Sequence, residues 1–172
     1  MVHTVWKIKN FSPTNWNFLF RTEPQIVDVF HSYVRPVINP KLSEFCKSLT
    51  GIDQETVDRS DVFEDVLKKF EVWMAKHGLG VSKTFILITD GPFDMGRFMY
   101  LQCKYSEISY PEYGCYWANL RKLFVNFYKA SFYSNNNHSM QLPGLQTMLS
   151  RLGKCRKILE ITHLKYAISN FL

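Results

Sequence analysis

The clearest pattern of apolar and polar positions lies at residues 62–74. Val62, Phe63, Val66, Leu67, Phe70, Trp73 and Met74 recur at helical spacing, with Glu64, Asp65, Lys68, Lys69 and Glu71 on the opposite face. This predicts an amphipathic helix, opened by Ser60 or Asp61 and closed by Gly78 or Gly80. Residues 26–34 alternate and are rich in β-branched side chains, as a half-buried strand requires. Residues 16–21 read as a second strand, joined to the first through Thr22-Glu-Pro-Gln25 as a hairpin. Residues 1–16 show only weak periodicity.

Further along, Asn39-Pro40 suits a helix start, and the short helix after it would align Leu42, Phe45, Cys46 and Leu49 on one face before Gly51 ends it. Asp53 is placed to cap another turn reaching Val57. Residues 84–89 form a short apolar run that fits a buried strand, and residues 93–105 a helix. Residues 117–128 read as a strand turning into a helix, 131–139 as a loop, and 144–153 as a helix closed by Gly153. Hairpin, helix, buried strand and helix together predict an α/β layered domain.

Composition narrows the class. The chain has 172 residues, 46% of them hydrophobic and 16% aromatic, which supports one domain with a sizeable core and excludes a disordered chain. No apolar run approaches the length of a membrane span, and the first residues lack the pattern of a secretory signal. The four cysteines are widely spaced, without a CxxC pair, and are expected to be reduced thiols. An intracellular location, in cytoplasm or nucleus, and no membrane partner follow as expectations. The formal charge of +6 is unevenly placed: from Arg97 onward ten Lys and Arg face three Glu. Such a half suits a polyanion, and an ordinary solvated basic surface would look the same.

The stretch most suggestive of chemistry is Phe85-Ile-Leu-Ile-Thr-Asp90-Gly-Pro-Phe-Asp94. An apolar run ends in two carboxylates four residues apart, split by Gly-Pro. This arrangement delivers negative charge from a buried strand to a loop or helix start, where a metal ion can take it. Asp90 is expected to accept backbone N–H bonds in the turn, and a helix-initiating acid explains Asp94 equally well without a metal. The aromatic residues between Tyr105 and Tyr133 alternate with Lys and Arg, which would suit base stacking, though core packing explains most of them. No Ser-His-Asp arrangement, Walker loop or GxGxxG is present.

Several segments together resemble the DEDDh 3′-to-5′ exonucleases, in the Eri-type exoribonuclease branch. They are Phe30-His-Ser-Tyr-Val-Arg-Pro36, Leu42-Ser-Glu-Phe-Cys-Lys-Ser-Leu-Thr-Gly-Ile52, Val66-Leu-Lys-Lys69, Leu87-Ile-Thr-Asp-Gly-Pro-Phe-Asp-Met95, Trp117-Ala-Asn-Leu-Arg-Lys122 and Met148-Leu-Ser-Arg-Leu-Gly153. They keep the family's order over roughly residues 18–153. The resemblance implies an RNase H-like α/β domain, a mixed sheet flanked by helices. It implies hydrolysis of RNA 3′ ends, single-stranded or in a stem-loop, by two Mg2+ ions that activate water and stabilise the leaving oxygen. It assigns Asp94 as a catalytic metal ligand, and Thr50, Gly51 and Ile52 to contact with the terminal nucleotide. It says nothing of a protein partner.

The resemblance also exposes departures. The family's first-strand Asp-x-Glu has no counterpart, since residues 2–17 contain no acid. The family's C-terminal His-x4-Asp is absent as well, because Ile168 follows His163 at that spacing. The expected organisation is a divergent segment over 1–16, a partial exonuclease domain over 17–153 and a divergent basic tail over 154–172. Impaired activity is the expectation. The alternatives are a catalytically inactive RNA- or protein-binding module, or a truncated isoform or gene-model fragment.

Overall fold

The computed structural model describes residues 3–9, 26–128 and 142–151. Strand β1 (His3–Lys9) runs antiparallel to β2 (Ile26–Tyr33), with Thr4 opposite Ser32 and Trp6 opposite Phe30. The register is irregular between Ile8 and Lys9. Among the described residues, β2 is thus paired by the weakly patterned N-terminal stretch. The expected strand at 16–21 lies outside the described residues, as do the expected loop at 131–139, His163 and the basic tail.

Alternation along β2 separates its two faces. Val27, Val29 and His31 are exposed, whereas Asp28 and Phe30 turn inward. Phe30 meets Phe70 and Trp73 of helix α3 (Phe63–Lys76) at ring-centroid distances of 5.4 and 5.7 Å. Asp28 Oδ2 accepts from Trp73 Nε1 at 2.9 Å and lies 2.8 Å from His77 Nε2, so one carboxylate joins the strand to the helix end. The helix buries Phe63, Val66, Leu67, Phe70 and Met74, as its periodicity predicts. Its N-cap is Val62, which makes no side-chain cap bond, rather than Ser60 or Asp61. Asp61 is engaged elsewhere: its carboxylate pairs with Lys69 and its carbonyl accepts from Arg35 N–H at 2.8 Å.

Between β2 and α3 lie two short helices, α1 (Glu44–Thr50) and α2 (Gln54–Asp58). Their caps are Ser43, accepting from Cys46 N–H, and Asp53, accepting from Thr56 N–H. The start at Ser43 corrects the expected apolar face of α1. Leu42 falls outside the helix, Cys46 is buried, and Phe45 is 69% exposed with Leu49 beside solvent too.

Strand β3 (Leu87–Thr89) is parallel to β4 (Trp117–Asn119), pairing Leu87 with Trp117 and Thr89 with Asn119. It is shorter than the apolar run suggested. Between the two strands come a π-helical segment (Asp94–Met99), α4 (Tyr100–Tyr105) and a 3-10 turn (Glu112–Gly114). After β4 the chain passes directly into α5 (Leu120–Tyr128), and α6 (Leu145–Arg151) follows. Val34, Phe70, Leu87, Met95 and Cys103 share one core, so both strand pairs are built on the same hydrophobic layer. Phe124 of α5 is fully buried, worth about 1.5–3 kcal/mol of transfer free energy. Cys46, Ile52 and Val57 form a second, smaller cluster under α1 and α2. No helix among the described residues is long and apolar enough to cross a membrane.

Candidate active site

The two parallel strands end side by side, and their carboxyl ends carry the polar residues. Thr89, Asp90 and Asn119 are the buried polar side chains among the described residues. Each has a structural reason to be there. Thr89 Oγ1 donates to the Gly91 carbonyl at 2.7 Å, shaping the turn that leaves β3. Asn119 Oδ1 accepts from the backbone N–H groups of Arg121 at 3.0 Å and Lys122 at 3.3 Å, satisfying first-turn donors of α5. Asp90 receives a two-pronged contact from Arg121, with Nη2 2.9 Å from Oδ2 and Nε 3.3 Å from Oδ1. The sequence had suggested backbone donors in the Gly91-Pro92 turn as partners of Asp90. The Arg121 guanidinium reaches both oxygens of Asp90, because pairing Thr89 with Asn119 sets the α5 start against the β3 exit.

Asp94 follows four residues later, at the first position of the π-helical segment. That segment is held in place from below by Tyr110, whose hydroxyl lies 3.1 Å from the Met95 carbonyl oxygen and 2.9 Å from that of Gly114. The Asp94 carboxyl is half-buried and pushed up to about 6 from an ordinary 3.8. Burial is the main cause, the negative charge of Asp90 adds to it, and the Arg121 cation opposes both. The Asp90 contact in turn holds the Arg121 guanidinium above its ordinary range. Asp90 and Asp94 thus meet different fates. One carboxylate is neutralised by an arginine, and the other pays a desolvation penalty that a bound cation would relieve.

Thr50, Gly51 and Ile52 form the cap of α1. Thr50 Oγ1 donates to the Cys46 carbonyl at 2.7 Å and accepts from Ile52 N–H at 3.2 Å. Gly51 has φ 68, and a Cβ there would meet nothing within 4 Å, so its backbone faces open space. Ile52 sends its side chain into the small core cluster.

A pair of divalent ions needs several oxygen ligands. Among the described residues, no group of three or more His, Cys, Asp or Glu side chains converges to hold a metal. These residues do not by themselves form a two-ion cage. They present Asp94 as one available carboxylate, with Asp90 bound to Arg121. Sequence reasoning singled out Asp94 and Asp90 but not Arg121 and Asn119, although both lie in the quoted stretch Trp117-Ala-Asn-Leu-Arg-Lys122. The available signal was a buried acid after one parallel strand and a base after its neighbour.

The family model described as Exonuclease (RNase_T) matches residues 17–153. The chain is 50% identical over 105 residues to human 3′-5′ exoribonuclease 1, an alignment covering 61% of this chain and 30% of that protein. It is 34% identical over 146 residues to the 3′-5′ exonuclease eri1 of Schizosaccharomyces pombe, covering 72% of this chain and 48% of the other. The chain therefore spans between about a third and a half of the length of these relatives. Among solved structures, a 3′-exonuclease in 3′-end specific recognition of the histone mRNA stem-loop superposes with TM-score 0.65 at 40% identity, covering 75% of this chain and 53% of that one. The nuclease domain of 3′hExo, a DEDDh family member bound to rAMP, superposes with TM-score 0.60 at 49% identity, covering 62% and 53%. The fold is RNase H-like, and the family depends on divalent metal. The chain belongs to the exonuclease family, in its Eri-type DEDDh branch.

Proposed function

We propose that this chain acts on the 3′ ends of RNA as a metal-dependent 3′-to-5′ exoribonuclease of reduced activity. Asp94 is the ligand for the cation, which is Mg2+, and the cap Thr50-Gly51-Ile52 lies against the terminal nucleotide. The observation that carries this reading is the state of Asp94. It is a part-buried carboxyl at the carboxyl end of a parallel strand pair, raised to about 6 by burial and like charge. Ligands of α/β sheets collect at such strand ends. The reduction in activity follows from the acids among the described residues: Asp94 by itself balances little of the charge of two divalent ions.

The test is digestion of 5′-labelled single-stranded RNA by the purified protein with Mg2+. Slow, Mg2+-dependent shortening that Asp94→Asn abolishes is the expected result. If the RNA stays intact, or shortens equally with Asp94→Asn, the enzymatic reading is wrong. A second reading, an inactive RNA-binding module, draws on the engagement of Asp90 by Arg121. It predicts RNA affinity in EDTA that falls steeply with salt. Affinity unchanged by neutralising exposed Lys104 and Lys122 would count against it.

A further inference from the structure

The aromatic side chains on either side of the 3-10 turn fall into two groups. Tyr113 and Trp117 pack against the main core, and Phe124 is fully buried. Tyr105 and Tyr116 stay exposed, and so does Tyr100, the first residue of α4. Tyr100 has cations on both sides. Its N–H bonds the Arg97 carbonyl, which places Arg97 on the preceding turn, and Lys104 follows one α-helical turn later. All three side chains are exposed, so Arg97, Tyr100 and Lys104 line one solvent-facing stripe. The sequence has no Asp or Glu from Met95 to Ser106. The Tyr100 ring lies 6.1 Å from that of Tyr110, whose hydroxyl is in turn held at the Met95 and Gly114 carbonyl oxygens. Backed by this fixed neighbour, Tyr100 is still 51% exposed.

We propose that Arg97, Tyr100 and Lys104 form a second contact for single-stranded RNA, in which Tyr100 stacks on a base and the two cations take the flanking phosphates. A half-open ring between exposed cations holds a single strand without reading its sequence. The stripe begins beside the β3 exit and runs away from it. Lys104 lies ten residues beyond Asp94, roughly 15 Å along a helix at ~1.5 Å per residue. That reach suits nucleotides upstream of the 3′-terminal one, not the terminal nucleotide itself. The contact needs no divalent ion. It holds the strand by stacking and charge while the strand's end occupies the site at β3 and β4. The inference rests on the reading that this chain takes RNA 3′ ends.

The probe is 5′-fluorescein oligoadenylate RNA, titrated with the purified full-length protein in EDTA and followed by fluorescence anisotropy. Tyr100→Leu should weaken binding about tenfold, whereas Tyr100→Phe, which keeps the ring, should stay within about twofold of the unmodified protein. Arg97→Gln and Lys104→Gln should each lower the slope of log affinity against log salt by about 0.7. A single abasic position, moved stepwise from the 3′ end, should weaken binding most a few nucleotides upstream, and should change nothing in Tyr100→Leu. Thermal melts check that each variant is folded. Equal affinity of Tyr100→Leu and the unmodified protein overturns the proposal, as does an unmodified protein that binds no RNA in EDTA. If Tyr100→Leu does not fold, the abasic series and the two salt slopes decide. An internal abasic effect with both slopes reduced supports the contact, and the lack of either refutes it. Digestion of the same RNA with Mg2+ separates the two levels. RNA bound through Tyr100 but never shortened keeps the contact and removes the exonuclease reading. RNA shortened by a protein whose affinity ignores Tyr100 does the reverse.

Discussion

Replacing Asp94 with Asn should stabilise the protein in the absence of divalent metal, and only above acidic pH. The Asp94 carboxyl titrates at about 6 in the folded chain against 3.8 as an ordinary side chain. A gap of about two units corresponds to ~3 kcal/mol at ~1.4 kcal/mol per unit. The group is only part-buried, so screening by solvent reduces this to about 1–3 kcal/mol. The sign follows from proton counting. Between pH 3.8 and about 6 the folded state holds the Asp94 proton more tightly than the unfolded state does. This contribution to stability is therefore full below pH 3.8 and lost as pH rises through 6. Asn carries no such dependence. The two proteins should melt alike near pH 4 as far as this group is concerned. They should diverge through pH 6 and stay apart above it, with Asp94→Asn higher in Tm by about 3–10 °C at pH 8 in EDTA. Calorimetric or circular-dichroism melts across pH 4–8 measure this. A gap that is constant with pH, or absent at pH 8, refutes the claim that burial and Asp90 raise this carboxyl.

Three other outcomes follow from the structure. Glu107 sits in the left-handed region at φ 55 after α4, where its N–H bonds the Lys104 carbonyl and Ile108 N–H bonds that of Cys103. Glu107→Gly should relieve this and raise stability by about 0.5–1 kcal/mol, read as a higher denaturant midpoint. Asp28 is held down to about 2, chiefly by the Trp73 bond, then by Val29 N–H and His77. Its contribution is present above pH 3.8 and lost as pH falls towards 2, so Asp28→Asn should flatten the acid limb of the unfolding curve. An unchanged acid limb would show that the network carries no linkage. A Cβ at Gly114 would lie 2.9 Å from three atoms of Tyr110. Gly114→Ala should therefore displace the ring that holds the π-helical segment and cost about 1–3 kcal/mol, seen as a lower Tm.

Where the determinants were local, the sequence could be read directly. Helix α3 was legible because its five buried residues recur at helical period. The small helix α2 was legible because Asp53 caps it as such residues do. Helix α1 was misread because in seven residues the cap, not the periodicity, decides which side turns inward. The pairing of β2 with His3–Lys9 was not legible, because it is a longer-range choice that no short pattern encodes. The site divides in the same way. Asp94 stands in a contiguous motif. The engagement of Asp90 depends on Arg121, 31 residues away, and becomes visible only once the parallel register of β3 and β4 is known.

The π-helical winding of Asp94–Met99 has a consequence for how this region tolerates change. A π turn accommodates one residue more than an ordinary turn, and the surplus cannot be absorbed silently. Rewinding these six residues as α-helix would rotate whatever precedes them by about 100° around the axis. Asp94, as the leading residue, would swing away from the β3 exit while every downstream contact stayed in place. Chain length here sets the aim of the carboxylate. Deleting one residue would redirect it more than any side-chain replacement that preserves the winding.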